Sequence, residues 1–262
     1  MNDFWRKQIP GESLFPDVLW NKPERKSVAG KLAIVGGNVQ GFAAVAAAHQ
    51  ISSQLGIGAI KIILPDVLKR KISPIITDAI FSPSNLSGGF ARDAIIDLRA
   101  AADFADAILF IGDNGANSET AALFETFLRE NQKTPAILTR DAVDLVKNSA
   151  EDILNRENTH FVVSFSQLQK IFREIYYPRV LTFSQGIKQI AETLHKFTIT
   201  YPATITLWHE NNLICAKSGE VISQNFDQPL RVWSGEVATR ETVWQIWQNN
   251  VIKAIAASWT EL

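Results

Sequence analysis

Short apolar runs alternate with longer helical segments along most of this chain. The first run ends at the turn signal formed by Gly36 and Gly37, and a later run ends at Pro65, so both are typical of strands. The segment between them is alanine-rich and has high helix propensity. These elements are predicted at 31–35 (strand), 42–55 (helix) and 59–64 (strand). Strand, helix and strand in this order predict a β-α-β unit.

The alternation then repeats through the middle of the chain. The pattern predicts helices at 91–104 and 118–130, and strands at 107–111, 135–138 and 161–163. Asn117 or Ser118 is expected to cap the second of these helices. Short central strands separated by helices favour a parallel sheet with helices on both faces.

The pattern changes after about residue 196. Short β-branched segments separated by turns predict antiparallel hairpins at one edge of the sheet, at 197–200, 204–208 and 213–216. Apolar residues at three- to four-residue spacing predict a last helix over 237–258. The fold class expected from these elements is α/β, with a mostly parallel central sheet and an antiparallel edge.

The first 28 residues differ from the rest because three prolines interrupt any long element. Trp5, Phe15 and Trp20 are costly to expose, so we expect residues 1–28 to form an arm that packs on the body. A length of 262 residues corresponds to fewer than two domains of about 150 residues, and no Gly- or Ser-rich linker divides the chain. Residues 29–262 are therefore predicted to be a single domain.

Composition and charge limit the class of partner. A hydrophobic fraction of 46% with 20% charged residues is ordinary globular usage, which excludes a disordered chain. The 26 basic and 27 acidic residues leave a formal charge of −1, which offers no footprint for nucleic acid or an anionic membrane. No apolar run reaches the roughly 18 residues of a spanning helix. We expect a cytoplasmic protein with neither nucleic acid nor membrane as a partner.

Candidate chemistry is sought where strands end, since ligands of open parallel sheets bind beyond the carboxyl ends of the strands. The first such segment contains Gly36, Gly37 and Asn38, and it leads into a helix whose amides could approach an anion. It matches neither the phosphate-binding P-loop nor the dinucleotide glycine pattern. The alternative is a tight strand-to-helix turn that simply needs glycine.

The second segment, Gly112, Asp113, Asn114 and Gly115, carries the same ambiguity. Asp113 could bind a metal or a ribose, or it could cap the helix that follows.

The turn before the last helix is the third candidate. Amides of Ser234, Gly235, Glu236 and Val237 could form an anion hole at the helix start, with Glu236 placed as a base. The alternative is that Ser234 is the N-cap and Glu236 only favours the helix dipole. Trp233, beside this turn, could act as a stacking or lid residue.

Taken in order, these segments resemble the ADP-dependent NAD(P)H-hydrate dehydratases, a family of the ribokinase-like superfamily. The resemblance runs from about Lys26 to Trp259. It is carried by the segments Gly36–Ala44, Leu55–Gly58, Phe110–Gly115, Ile137–Val143 and Ser234–Thr239. The last of these is similar to the family's Gly-Ser-Gly-Asp motif, whose amides bind phosphate.

The resemblance implies a ribokinase-like sandwich that uses ADP or ATP with Mg²⁺ to remove water from a hydrated nicotinamide nucleotide. Under it, Glu236 is the catalytic proton-transfer residue, and Asp141 or Asp113 holds the substrate or the metal. Phosphate binding would fall to Ser234, Gly235, Val237, Gly36, Gly37, Asn38, Gly112, Asn114 and Gly115. Small-molecule nucleotides are the expected partners, in a homo-oligomer.

The chain departs from the family pattern at several of these positions. The motif aspartate is Glu236, its first glycine is Trp233, and an aspartate two residues before Asp141 is Thr139. The histidine- and acid-containing loop of the family corresponds to 164–167 here, and its Lys-Gly corresponds to 201–202. Two alternatives therefore stay open: a catalytically silent nucleotide-binding homologue, and a small-molecule kinase of the same superfamily.

Overall fold

Ten strands form one sheet in the computed structural model, which describes residues 4–72 and 78–262. In chain order they are β1 (Trp5–Gln8), β2 (Lys31–Gly36), β3 (Ala59–Pro65), β4 (Ala79–Ser82), β5 (Ala107–Gly112), β6 (Ala136–Thr139), β7 (Thr159–Val163), β8 (Thr204–His209), β9 (Asn212–Lys217) and β10 (Glu220–Asn225). Their order across the sheet is β1-β10-β9-β8-β7-β6-β5-β2-β3-β4.

Seven neighbouring strands, from β4 to β8, are parallel, whereas β8, β9 and β10 pair antiparallel. On β2, Ile34 lies between Ile62 of β3 and Leu109 of β5. The prediction of a mostly parallel sheet with an antiparallel edge is confirmed.

Helices cover both faces of this sheet. Those assigned in the described ranges are α1 (Ala43–Leu55), α2 (Ile95–Phe104), α3 (Ser118–Glu130), α4 (Asp141–Leu145), α5 (Ala150–Leu154), α6 (Phe165–Glu174), α7 (Ile187–Thr200), α8 (Pro229–Trp233), α9 (Glu236–Trp247) and α10 (Val251–Trp259). None of these helices combines the length and the apolar character needed to cross a bilayer, in the part of the chain that the structure describes. Asn117 caps α3, since its side chain accepts hydrogen bonds from the amides of Glu119 and Thr120.

Alternate residues of the central strands supply two separate cores. Ala33 and Val35 of β2 pack with α2 to α7, while Leu32 and Ile34 pack with α1, α9 and α10. This alternation is the period of two expected for a strand whose two faces are both covered. The central strands of the sheet are therefore buried on both sides.

Two of the predicted elements were wrong. Residues 197–200 are the last turn of α7, because Ile190, Leu194 and Phe197 form a buried stripe of helical spacing that outweighs the β-branched composition. The last predicted helix is two helices, since Asn250 accepts a hydrogen bond from the amide of Lys253 and starts α10 anew.

The sequence also left several elements unpredicted, of which β1 matters most. Strand β1 pairs in parallel with β10, and Trp5 Nε1 donates to Ser223 Oγ at 2.9 Å. Gln8 Nε2 donates to Gln224 Oε1 at 2.8 Å. Residues 5–8 thus extend the sheet itself. Trp20, in contrast, is 88% exposed and does not cover the body in this chain.

Glu241 on α9 and His160 on β7 form a buried pair between the sheet and the last two helices. Glu241 Oε2 lies 3.4 Å from His160 Nε2, which also lies 2.9 Å from Thr206 Oγ1. Trp259 Nε1 donates to Glu241 Oε1 at 2.7 Å. Burial raises the pKa of Glu241 to about 8. Burial, with the Lys217 cation, lowers the pKa of His160 to about 3.

This pair predicts a specific pH dependence of stability. The ordinary pKa values of Glu and His are 4.5 and 6.5. Between these two pH values the folded state holds a proton on Glu241 and the unfolded state holds one on His160, so the two states bind equal numbers of protons at this pair and the free energy of unfolding does not change with pH on its account. Above pH 6.5 the unfolded state has lost the proton of His160, whereas the folded state still holds the proton of Glu241. The free energy of unfolding should therefore fall by about 1–2 kcal/mol by pH 8. The Glu241→Gln variant should lose this alkaline decline, measured by denaturant unfolding at pH 6.5 and 8.

The exposed Glu130→Gln variant is the control and should keep the decline. An unchanged alkaline slope in Glu241→Gln would contradict the assignment of the proton to Glu241.

Candidate functional site

The carboxyl ends of four adjacent strands bring the candidate segments to one edge of the sheet. Strands β2, β5, β6 and β7 are neighbours, and they end at the loops 36–38, 112–115, 139–141 and 164–167. The start of α9 packs against β5 and β6 beside these loops. The three candidate segments, 36–38, 112–115 and 234–237, therefore lie at this edge, together with the loops 139–141 and 164–167.

The glycines after β2 serve a tight turn that joins two of the loops. Gly37 has φ +87° and donates its amide to Gly112 O at 2.9 Å. Asn38 Oδ1 accepts from the amide of Gln40 at 2.7 Å. A Cβ on Gly115 would lie 2.8 Å from Asn38 Nδ2, so the loops 36–38 and 112–115 touch closely. The positive φ of Gly37 and the close contact between the loops explain why this turn contains glycine.

Asp113 uses both of its carboxylate oxygens. Oδ2 accepts from the amide of Ala44 at 2.8 Å, so Asp113 caps α1. The sequence alternative, in which Asp113 caps the helix after the 112–115 loop, is therefore wrong. Oδ1 lies 2.5 Å from Arg140 NH2. The cap of α1 thus comes from a residue distant in sequence, whereas Asn117 caps α3 as the sequence predicts.

Asp141 and Asn114 leave buried polar atoms without partners. Asp141 Oδ2 accepts from the amides of Asn114 and Gly115 at 2.9 and 3.0 Å, but its Oδ1 has no hydrogen-bond partner among the described residues. Burial raises the pKa of Asp141 against the lowering effect of the two amides. Asn114 is 1% exposed, and neither atom of its amide group is bonded within the described chain. Such unpaired buried groups are rare and mark sites where a ligand can complete the bonding.

The turn before α9 offers fewer free amides than the sequence suggested. The amide of Ser234 donates to Leu230 O at 2.8 Å, and that of Gly235 to Val232 O at 3.0 Å. Gly235, with φ +90°, is the N-cap of α9, so Ser234 is not the cap. The amides of Glu236 and Val237 lie in the first turn of α9, where backbone amides have no acceptor within the helix.

Glu236 is held by two arginines. Its Oε1 lies 2.5 Å from Arg231 NH2 and 3.0 Å from Arg240 Nε. The hydrogen bond from Arg231, followed in effect by Arg240, holds the pKa of Glu236 below its usual range. A general base needs an accessible lone pair and a pKa near the working pH. At Oε1 of Glu236 both arginines occupy the carboxylate, and the hydrogen bond from Arg231 lowers its pKa.

Arg140 spans the space in front of α9. Its NH1 donates to Trp233 O at 2.9 Å, while NH2 pairs with Asp113. A Cβ on Gly235 would lie 3.5 Å from Arg140 Cδ, and one on Gly112 would lie 3.0 Å from Arg140 Nε. The side chains of Ile111 and Arg140 therefore lie next to the N-cap of the helix, with Ile111 the nearer of the two.

A cleft of about 350 Å³ opens beside Arg140. Lys170 Nζ lies 2.9 Å from Asp144 Oδ1 on its wall, and Gln167 Nε2 donates to Arg140 O and Asp144 Oδ2, both at 2.7 Å. Ser164 and Gln167 form the capping box that starts α6.

The cleft residues Arg140, Asp144, Gln167 and Lys170 were missed in the sequence. The one usable signal was Ser164 followed three residues later by Gln167, which predicts the start of a helix and places Lys170 one turn further on. Trp233 packs edge to face on Trp208 with ring centroids 6.1 Å apart and is 49% exposed.

The carboxylates suit a magnesium ion only in part. In the described ranges no three His, Cys, Asp or Glu side chains gather into a metal-holding group. Asp113 is fully engaged, and Asp141 Oδ1 is the available carboxylate oxygen at the 112–115 loop. Magnesium bound with nucleotides commonly takes one or two carboxylates and completes its shell with phosphates and water. Asp141 fits that arrangement and not a protein-only cage.

Comparison with known proteins places the fold. No family model matches the chain, and no curated protein sequence matches it. Solved structures do match it. A ribokinase-like superfamily protein from Enterococcus faecalis is 15% identical with a TM-score of 0.74, over 98% of this chain and 86% of that one.

Two further structures are enzymes by name. An ADP/ATP-dependent NAD(P)H-hydrate dehydratase from Bacillus subtilis, co-crystallised with ATP and Mg²⁺, is 12% identical with a TM-score of 0.60, over 93% of this chain and 83% of that one. A hydroxyethylthiazole kinase from Pyrococcus horikoshii is 9% identical with a TM-score of 0.61, over 93% and 81%. At such identities the likeness establishes the fold: this chain has a ribokinase-like α/β fold.

The ion pairs of Glu236 predict that this residue stabilises the protein. Replacing it by Gln should lower the free energy of unfolding at pH 7 by about 1–2 kcal/mol, because two arginines lose a charged acceptor. Since the folded pKa of Glu236 lies below 4.5, this contribution is full above pH 4.5 and disappears as the pH falls through the folded value. Urea unfolding of both proteins at pH 7 and pH 3.5 measures it.

Glu130→Gln, which breaks an exposed pair with Arg99, is the matched control and should cost less than about 1 kcal/mol. Equal stability of Glu236→Gln and the wild type at pH 7 would contradict the structural role.

Proposed function

We propose that this chain binds ADP or ATP at the carboxyl edge of its sheet, and that Glu236 transfers no proton there. The observation that carries the proposal is the double ion pair of Glu236 with Arg231 and Arg240. This proposal corresponds to the catalytically silent, nucleotide-binding homologue that the sequence analysis left open. In such a homologue the site binds its ligand but has no catalytic base.

Several features support binding of a phosphorylated ligand. The cleft has the cations Arg140 and Lys170 on its walls, each paired with a carboxylate of this chain. The start of α9 has no side-chain cap within the described chain, so its partial positive charge is available to an anion. Asn114 and Asp141 Oδ1 supply buried polar atoms that lack partners. A structure of similar fold was co-crystallised with ATP and Mg²⁺.

The role of each group follows from its chemistry. Arginine and lysine side chains neutralise phosphate charge, and Asn114 can donate and accept hydrogen bonds. A Mg²⁺ ion, where it enters with the nucleotide, would be held by Asp141 and would neutralise phosphate charge. The turn at Gly36 and Gly37 supports the 112–115 loop through the bond from Gly37 to Gly112.

The chemical step fails at the base. Removing a hydroxyl proton needs a carboxylate that faces the substrate, whereas Glu236 Oε1 faces two guanidinium groups and has a lowered pKa. A misplacement of about 1 Å can cost about a hundredfold in rate. The extra methylene of Glu236 relative to aspartate is a displacement of that order.

A second candidate function is the ADP-dependent removal of water from hydrated NAD(P)H. The observation that favours it is Asp141, which has an unpartnered oxygen and a pKa raised by burial. In this candidate Asp141, rather than Glu236, accepts the hydroxyl proton.

Binding is tested by thermal shift and calorimetry with ADP or ATP, each with Mg²⁺. A ligand at 100 times its Kd should stabilise the folded chain by about 2.7 kcal/mol. Adenosine, which lacks phosphate, is the matched ligand and should stabilise it far less. A flat response to both nucleotides would overturn the proposal.

Turnover is tested by incubating the protein with hydrated NADH, ADP and Mg²⁺ and following the absorbance of the reduced nicotinamide. We expect no gain from the wild type beyond that of a blank without protein. A gain that Asp141→Asn removes and Glu236→Gln retains would support the second candidate. A gain that Glu236→Gln removes would show that Glu236 is the base and contradict our proposal.

A further inference from the structure

Arg140 is the side chain that joins the three parts of the candidate site. It follows β6, its NH2 reaches Asp113 after β5 at 2.5 Å, and its NH1 reaches the carbonyl of Trp233 before α9 at 2.9 Å. Its side chain is 30% exposed, so it borders the cleft as well as the buried loop.

The backbone of Arg140 is held in a conformation that side chains rarely adopt. Its φ is +56° and its ψ is −139°, a region favoured by glycine. Gln167 Nε2 fixes this backbone by donating to Arg140 O at 2.7 Å. Strained residues persist where the surrounding structure enforces them, commonly at ligand sites. The position of the side chain is therefore imposed by the fold.

The guanidinium group has unused binding capacity. Arg140 Nε is buried and has no partner in the described part of the chain. An arginine presents five N–H donors in a planar fork that matches the oxygens of a phosphate. The present partners of the NH1 and NH2 groups are one carbonyl oxygen and one carboxylate oxygen. A phosphate would offer more acceptors, with more charge.

The helix next to Arg140 favours an anion at the same place. The start of α9 carries partial positive charge, and a cation alone beside it is unfavourable. Asp113 now balances the charge of Arg140, with its Oδ1 on the guanidinium group and its Oδ2 on the amide of Ala44 in α1. The Asp113 carboxylate thus already supplies a negative charge to Arg140, next to the start of α9.

We propose that Arg140 is the phosphate-binding residue of this site, and that a terminal phosphate of the ligand replaces Asp113 as the partner of its guanidinium group. This rests on the proposed function, since it assumes a phosphorylated ligand in the cleft. Asp113 stays in place as the cap of α1, and Gln167 keeps the backbone of Arg140 fixed. Only the arginine side chain exchanges its partner, and Asp113 competes with the ligand.

Two opposite substitutions test this competition. Arg140→Ala should weaken ADP binding at least about tenfold, because a charged hydrogen-bonding group is lost. Asp113→Asn should tighten ADP binding by several-fold, because Asn keeps an oxygen for the amide of Ala44 but no longer holds the guanidinium with a charge. Calorimetry with ADP and with adenosine measures both, and adenosine binding should not change.

Two further variants serve as controls. Arg140→Lys keeps a cation without the planar fork and should bind ADP with an affinity between those of Arg140→Ala and the wild type. Arg99→Ala removes an arginine from an exposed pair on α2 and should bind ADP as the wild type does. Circular dichroism and urea unfolding establish that each variant is folded. Should Arg140→Ala not fold, the opposite shifts in Arg140→Lys and Asp113→Asn decide the question.

The outcomes separate this inference from the proposed function. Wild-type binding of ADP with equal or tighter binding by Arg140→Ala would show that Arg140 only covers the helix, which overturns the inference and leaves the proposed function intact. An Asp113→Asn variant that binds ADP no more tightly than the wild type would also overturn it. Absence of ADP binding by the wild type and by Asp113→Asn would overturn both.

Discussion

The burial of the central strands on both faces governs where this protein can do chemistry. Strands such as β2 and β5 pack one set of alternate side chains under α2 to α7 and the other under α1, α9 and α10. No face of these strands is left for a polar ligand, so binding groups can stand only at the strand ends. The loops at the carboxyl ends of β2, β5, β6 and β7 therefore share one edge of the sheet. Ion pairs between charged side chains lie along this edge.

That network is largely self-compensating. Asp113 pairs with Arg140, Asp144 with Lys170, and Glu236 with Arg231 and Arg240. Opposite charges in such pairs attract each other and stabilise the unliganded edge. A ligand has to compete with these internal partners, so the affinity depends on how easily each pair exchanges one member. Glu236 and Asp141 each hold two partners on one carboxylate oxygen, guanidinium groups in Glu236 and backbone amides in Asp141. The hydrogen bond from Arg231 lowers the pKa of Glu236, whereas burial raises the pKa of Asp141.

Most of the fold could be predicted from sequence, because apolar periodicity reports burial directly. The parallel strands, the antiparallel edge and the segments at the strand ends follow from it, whereas 197–200 was assigned to a strand because local composition outweighed the longer helical stripe. The site was less predictable. That Asp113 caps α1, and that Arg140 reaches both Asp113 and Trp233, depends on long-range packing that no local pattern records. Residue types locate the loops, but partners decide what the side chains do.

The pairing of β1 with β10 has a consequence for how this chain is made. Gln8 and Gln224 bond to each other although 216 positions separate them along the chain. At synthesis rates of about 5–20 residues per second, the first strand has to wait roughly 10–40 s before its neighbour leaves the ribosome. Throughout that interval Trp5 and the backbone amides of β1 lack the partners on β10 that they have in the folded protein. Until β10 is made, strand β1 has to be kept from non-native contacts.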